Sequence, residues 1–149
     1  MLAWLKTNAA KARETLTTEV AKHKNRKFME AISNASAMVA MASNGAGAEE
    51  KQKMAAFLNT SPELKVFSLT DVLAVFNDAV AKFEFDPQIG QAEALKVIGR
   101  IKDNESAARL LIRVTCAIGA SDGDFDEKEK AACRQMCMEL GLNPADFEL

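Results

Sequence analysis

The apolar residues of this chain recur at spacings of three and four, which is the period of an α-helix packed on one side. The stretch from Phe28 to Ala42 is typical, with Ile32, Ala35 and Val39 on the same face. No segment alternates apolar and polar residues over the length of a strand, so the pattern predicts an all-α protein. Seven helices are expected: over about 2–22, over 27–42, from Ala48 to Ser61-Pro62, from Ser68 to about Phe83, from Asp86-Pro87, from Asn104 to about Ile118, and over 126–140.

Residues with capping chemistry stand at several of these boundaries. Ser68 and Asp71 have the spacing of a capping box, and Asp86 precedes a proline, which is tolerated at the first helical position. Asn104 is expected to cap the sixth helix, and Gly141 to end the last one. The ends of four predicted helices therefore have a local chemical cause.

Two parts of the chain resemble each other at an offset of 78 residues. Residues 42–45, Ala-Ser-Asn-Gly, align with residues 120–123, Ala-Ser-Asp-Gly, and Glu49 aligns with Glu127. Because each half of such a repeat covers the apolar face of the other, we predict a compact bundle of two pseudo-twofold-related helix–turn–helix halves. We expect one domain with a basic N-terminal arm (1–27), the first half (28–67), linking helices (68–105) and the second half (106–149).

Composition and charge narrow the class of protein. The 149 residues are 48% apolar and 27% charged, which is ordinary for one globular domain. Residues 1–27 carry seven Lys or Arg against two Glu, a balance of +5, so the rest of the chain sums to −7 within a net charge of −2. A mainly acidic body lacks the clustered basic face that duplex binding needs, and we expect no nucleic acid partner. The apolar runs are too short for a signal peptide or a membrane span, which predicts a cytoplasmic protein, and we expect a monomer.

The segment 121–129, Ser-Asp-Gly-Asp-Phe-Asp-Glu-Lys-Glu, places five carboxylates around one glycine. It matches the second half of a twelve-residue calcium loop, but Ile118 and Ala120 stand where the first half needs oxygen ligands, so it is not an EF-hand. Oxygen ligands favour Ca²⁺ or another hard divalent cation, bound weakly by half a loop. The candidate metal ligands are Asp122, Asp124, Asp126 and Glu129.

A purely structural alternative exists for the same turn. Asp126 and Glu129 are three apart and fit a capping box, and acidic residues also favour a helix N-terminus. In the first half of the repeat Asn44 replaces the corresponding aspartate, so a cation site is expected in the second half only. Glu49 or Glu50 would then approach it from across the pseudo-twofold axis.

Three cysteines, Cys116, Cys133 and Cys137, are an odd number with no histidine nearby, which argues against a disulfide framework or a zinc site. Cys133 and Cys137 share a helical face, and Cys116 is placed to meet them from the preceding helix. Buried, inert thiols are the expectation, with reactive thiols as the alternative. His23 lies in a basic run, and we expect no catalytic residue.

The N-terminal arm combines a tryptophan with basic residues. Such a helix can lie on an anionic bilayer or against the cytoplasmic loops of a membrane protein. The alternative is that Trp4 docks on the bundle while the basic stretch after it stays exposed. The candidate partner-binding residues are Trp4, Lys22, Lys24, Arg26 and Lys27 in the arm, and Glu49 and Glu50 beyond the first turn.

The duplicated Ala-Ser-(Asn/Asp)-Gly turn, the acidic start of the helix after it and the segment Phe-Met-Glu-Ala-Ile at 28–32 resemble the TerB family of tellurite resistance proteins. The resemblance covers the whole chain. It implies an all-α fold of two related halves, no established enzymatic activity and metal binding by the acidic turn. The positions that match the family's acidic turn are Asp122, Gly123, Asp126 and Glu129.

The resemblance also implies a setting for the protein. The partners it implies are an integral membrane protein of the TerC kind and other resistance proteins, including acidic relatives of the TerD kind that bind calcium. The chain is then expected at the inner face of the membrane, coupled to a membrane-bound resistance complex. The alternative function is thiol-dependent reduction or sequestration of tellurite by Cys116, Cys133 and Cys137, because thiols reduce and bind tellurium oxyanions.

Overall fold

The computed structural model describes residues 3–6, 9–42, 48–120 and 125–149, and every regular element in these ranges is helical. The prediction of an all-α protein is confirmed. None of the described helices has both the length and the apolarity to cross a bilayer. The α-helices of the described ranges are α1 (Ala3–Lys6), α2 (Ala9–Lys22), α3 (Arg26–Ala42), α4 (Ala48–Thr60), α5 (Leu69–Phe85), α6 (Pro87–Gly99), α7 (Glu105–Gly119) and α8 (Glu127–Glu139), with 3-10 turns at Pro62–Leu64 and Pro144–Phe147.

The predicted capping residues stand at the helix ends. The Asp86 carboxylate accepts the backbone N–H of Gln88 at 2.9 Å, and Asn104 Oδ1 accepts that of Ala107 at 3.1 Å. Each bond satisfies a backbone donor that the first turn of the helix leaves without a partner. At the other end of the fold, Gly141 follows α8 with a φ of 70°, a left-handed conformation that glycine adopts without steric cost.

The first predicted helix is described in two pieces, α1 and α2, and residues 7–8 between them lie outside the described ranges. The two turns of the predicted repeat, 43–47 and 121–124, lie outside them as well. The helices that flank these turns are described. Their positions agree with two helix–turn–helix pairs, α3 with α4 and α7 with α8.

Helix α3 forms the centre of the bundle. Every residue from Ala31 to Ala40 is buried, and the helix packs against α4, α5, α6, α7 and α8. Small residues at Ala31, Ser33, Ala35 and Ala37 allow helices to approach it from several sides. The Ser33 hydroxyl donates to the backbone carbonyl of Met29 at 2.8 Å, so this polar group is satisfied inside the core.

Helices α5 and α6 are joined by Asp86 alone and pack tightly. Gly90 lies in their contact, and a Cβ added there would stand 2.5 Å from Cα of Phe83. That distance is far inside van der Waals contact, so any side chain at this position would push the two helices apart.

Candidate functional site

The acidic turn enters the described structure at Phe125 and Asp126. Phe125 is buried and packs near Gly119 of α7, which anchors the end of the turn to the core. Asp126 Oδ1 accepts the N–H of Glu129 at 2.8 Å, and Glu129 Oε1 accepts the N–H of Asp126 at 3.1 Å. This is the complete capping box that the sequence offered as an alternative to a cation site.

The described part of the turn does not by itself form a metal site. Asp126 and Glu129 are engaged at the N-terminus of α8, where the positive end of the helix dipole favours anions and not cations. Among the described residues no three or more His, Cys, Asp or Glu side chains are grouped to hold an ion. Asp122 and Asp124, the other two predicted ligands, lie outside the described ranges, so the cation site stays a prediction.

Two of the predicted partner-binding residues, Lys24 and Arg26, lie together on the rim of a groove. The groove runs between the α2–α3 connection and the start of α5, and it encloses about 240 Å³. Its apolar side is formed by Met29, Val66 and Phe67. We call it the basic groove; its lining residues are Lys24, Asn25, Arg26, Met29, Val66, Phe67, Ser68 and Asp71.

Two cationic side chains and one carboxylate line the basic groove. Lys24 is exposed and makes no ion pair with a described residue, whereas Arg26 Nε pairs with Glu30 at 3.0 Å. Ser68 caps α5 by accepting the N–H of Asp71 at 3.4 Å, but these two described residues lack the reciprocal bond of the predicted capping box. The positive end of α5 also opens at the groove. Asp71 contributes the one carboxylate of the lining.

The other predicted partner residues are dispersed. Trp4 is partly buried and packs against the core, Lys22 pairs with Glu19 at 3.0 Å on the outer face of α2, and Lys27 is exposed. Glu49 and Glu50 belong to the first turn of α4, but their side chains lie outside the described part of the structure. The structure therefore brings Lys24 and Arg26 together and leaves the other described members of the set apart.

The arm is fastened to the body by an ion pair that sequence reasoning missed. Arg13 of α2 donates to Glu63 in the first 3-10 turn at 2.8 Å, and the Glu63 side chain is completely buried. Leu16 and Val20 follow Arg13 at helical spacing and are buried as well. The sequence marked residues 61–62 only as a helix end, and a charge after a proline gave no sign of burial.

All three thiols are buried, as expected. Cys116 of α7 and Cys133 of α8 are in hydrogen-bond contact, and this contact, followed by burial, raises the pKa of Cys133 well above its ordinary value. Burial, followed by the proximity of Cys133, raises the pKa of Cys137 to about 12. A thiol is nucleophilic only as its thiolate, so these shifts oppose reactivity at neutral pH.

A second unanticipated cluster joins α7 to the C-terminal 3-10 turn. The Cζ atoms of Arg109 and Arg113 lie over the Phe147 ring, 5.2 and 5.4 Å from its centroid. Arg109 also pairs with Asp146 at 3.3 Å. The four-residue spacing of the two arginines was visible in the sequence, but nothing local indicated that Phe147 would fold back beneath them.

Comparison with known proteins gives the family. Residues 29–149 match the family described as tellurite resistance protein TerB. A curated relative, the tellurium resistance protein TerB of Alcaligenes sp, is 47% identical over 102 residues, which cover 68% of this chain and 84% of the relative. No solved structure matches the chain significantly. The chain belongs to the TerB family of tellurite resistance proteins.

Proposed function

We propose that this chain is a non-enzymatic interaction component of a tellurite resistance system, and that it docks a partner through the basic groove. The observation that carries the proposal is the convergence of Lys24 and Arg26 on an apolar floor at the junction of the arm and the bundle. Family membership supports the link to tellurite resistance. The partner implied by the resemblance is an integral membrane protein of the TerC kind.

The chemistry of the groove suits a short acidic segment with an apolar anchor. Met29, Val66 and Phe67 offer apolar surface to an aliphatic or aromatic side chain. Lys24 would pair with a carboxylate beside that anchor, and Arg26 would do so by exchanging its exposed pair with Glu30. Buried apolar contact with a charged rim is the usual arrangement at protein interfaces, and a cytoplasmic loop of a membrane protein can supply such a segment.

Charge reversal in the groove tests the proposal in cells. In a bacterial strain whose tellurite resistance depends on this chain, the double variant Lys24→Glu/Arg26→Glu should lose resistance, because the rim would repel an acidic partner. The matched control is Lys96→Glu/Lys102→Glu, which reverses two exposed lysines of α6 and the turn after it and should keep resistance.

Folding must be separated from docking in this experiment. Both double variants should retain helical circular dichroism and melt within a few degrees of the unaltered chain, since the reversed groups are solvent-exposed and the Arg26–Glu30 pair that is lost lies at the surface. Full resistance in a folded Lys24→Glu/Arg26→Glu strain would exclude the groove as the docking surface. Equal loss of resistance in the control variant would show a general effect of charge and would also count against docking at the groove.

Divalent-cation binding at the acidic turn is the remaining part of the proposal. Five carboxylates lie within residues 122–129, and only Asp126 and Glu129 are needed for the observed cap. Glu127 pairs with Arg134 at 2.6 Å, and a bound cation would relieve the mutual repulsion of Asp122 and Asp124. No step of partner docking depends on the ion, so the two parts are tested separately.

A further inference from the structure

The arginine pair on α7 has more positive charge than its surroundings neutralise. Arg109 and Arg113 are one helical turn apart and share the Phe147 ring, and the only carboxylate that pairs with either of them in the described structure is that of Asp146. Arg113 makes no ion pair or hydrogen bond with any described residue. The cluster of two guanidinium groups and one carboxylate therefore has an excess charge of +1.

Most guanidinium donors of the cluster have no hydrogen-bond partner among the described residues, since Arg109 donates to Asp146 alone and Arg113 to none. Contact with an aromatic face uses the flat surface of a guanidinium, whereas its N–H groups point outward in the plane. Both arginines are neither fully buried nor fully exposed, so solvent and small solutes reach them while the surroundings hold them in place. Phe147 itself is buried, which makes it a fixed platform for the pair.

The electrostatic environment of Arg113 is unfavourable for its positive charge. Burial, followed by the charge on Arg109, lowers the pKa of Arg113, and Asp146 acts in the opposite direction. Two like charges that share one ring repel each other, and an anion bound beside them would relieve the repulsion. Arginine forks match the geometry of oxygen pairs on an oxyanion, to which they donate two hydrogen bonds at once.

We propose that Arg109 and Arg113 form a binding site for a small oxyanion of the phosphate and tellurite class. Phe147 supports both guanidinium groups, and Asp146 is an internal counter-ion that holds Arg109 when no anion is bound. Because Asp146 is 44% exposed, its carboxylate can turn to solvent as an anion takes its place. The site lies on α7 and the C-terminal turn, and it shares no residue with the basic groove or with the acidic turn.

Inorganic phosphate and tellurite are the two probes. Arginine Nε–Hε signals of the full-length chain, followed by NMR during titration with either anion, should shift saturably for Arg109 and Arg113 and not for Arg100. Saturation by phosphate alone, by tellurite alone or by both supports the site and identifies which anion it binds. Acetate tests for a carboxylate ligand, and a response to acetate as strong as that to the oxyanions would overturn the assignment.

Two substitutions give opposite expected results. Arg113→Gln removes one donor fork and should weaken binding about tenfold or more, whereas Asp146→Asn removes the competing carboxylate and should strengthen it several-fold. Arg100→Gln changes a guanidinium that pairs with Glu30 of α3 and should leave affinity unchanged. Melting curves of all three variants verify folding.

If the two arginines served packing alone, Asp146→Asn would not bind the oxyanion more tightly than the unaltered chain does. Absence of saturable shifts with both oxyanions, or equal binding in Arg113→Gln and the unaltered chain, would overturn the inference. Neither result would affect the proposal for the basic groove, which concerns other residues and another assay.

Discussion

Arg13 and Glu63 form an ion pair of 2.8 Å across a sequence separation of 50 residues, and the pair joins the N-terminal helix α2 to the 3-10 turn after α4. Glu63 Oε2 accepts from the Arg13 guanidinium, while Glu63 Oε1 is buried without a hydrogen-bond partner in the described structure. A buried carboxylate that depends on one cation makes the attachment of the arm sensitive to that cation.

Removal of Arg13 should therefore destabilise the protein more than removal of a surface charge would. Arg13→Met keeps much of the side-chain volume but leaves the Glu63 carboxylate buried and unpaired. Because Arg13 is 29% exposed and water can partly replace it, we expect the free energy of unfolding to fall by about 2 kcal/mol, below the usual range for a fully buried pair. Urea denaturation measures the difference.

The control is Lys22→Met, which breaks an exposed pair with Glu19 and should cost less than about 0.5 kcal/mol. In the double variant Arg13→Met/Glu63→Gln the buried charge is absent. Its free energy of unfolding should therefore fall by less than the sum of the decreases in Arg13→Met and Glu63→Gln. Strict additivity would mean that the two side chains do not interact in solution.

Gly90 gives a second prediction, on the packing of α5 against α6. Gly90→Ala places a methyl group 2.5 Å from Cα of Phe83, a backbone atom that cannot move by itself, and should cost about 2 to 3 kcal/mol. Gly99→Ala in the same helix is the matched control. There the added carbon meets the end of the flexible Glu139 side chain, and the gain in helix propensity should leave stability unchanged or raised by up to about 1 kcal/mol. Similar losses in both variants would contradict the packing argument.

Most of the fold was accessible from sequence because its signals are local. The apolar spacing gave α3 and α5 to within a few residues, and Asp86 and Asn104 marked helix starts through bonds to N–H groups two or three residues away. Such caps need no knowledge of the remainder of the chain. The same is true of the capping box between Asp126 and Glu129, which the spacing of three residues offered as an alternative to a cation site and which the structure contains.

The missed features all depend on long-range packing. Glu63 is charged, and only the approach of α2 from 50 positions away explains its burial. The basic groove needs Val66 and Phe67 to lie beside Lys24, and the arginine cluster needs Phe147 to return to α7. Nothing in the local sequence of these residues specifies their neighbours. Lys24 could therefore be predicted as a partner-binding residue, whereas the groove that it lines could not.

The thiol of Cys137 leads to a prediction on pH dependence. Its pKa is raised from an ordinary 9.0 to about 12 in the folded chain, so the unfolded chain loses this proton first as pH rises. Its stabilising contribution is complete below pH 9.0 and should decline between pH 9.0 and about 12. Urea denaturation should show that the free energy of unfolding falls less between pH 8 and pH 10 in Cys137→Ala than in the unaltered chain. Equal decreases would mean that the thiol does not titrate differently on folding.

The acidic turn separates into a cap and a candidate cation site, and each has its own prediction. Asp126→Ala removes the acceptor for the Glu129 N–H and should lower the free energy of unfolding by about 1 kcal/mol in the absence of metal. Asp126→Asn retains a side-chain oxygen, so its free energy of unfolding should fall by much less. Urea denaturation in the presence of a chelator measures both values, and equal losses would show that the cap is not what stabilises the start of α8.

The cation prediction concerns Asp122 and Asp124, which the cap does not use. If a divalent ion binds the folded chain, millimolar Ca²⁺ or Mn²⁺ should raise the melting temperature of the unaltered protein, because binding to the native state stabilises it by mass action. Asp122→Asn/Asp124→Asn should abolish that increase without weakening the cap, whereas Asp103→Asn, at an exposed acid in the turn before α7, should leave it intact. Amide NMR shifts confined to residues 119–130 would locate the ion at this turn. Melting curves that do not respond to either metal, or that respond equally in the double variant, would leave the carboxylates of the turn with the role of a helix start alone.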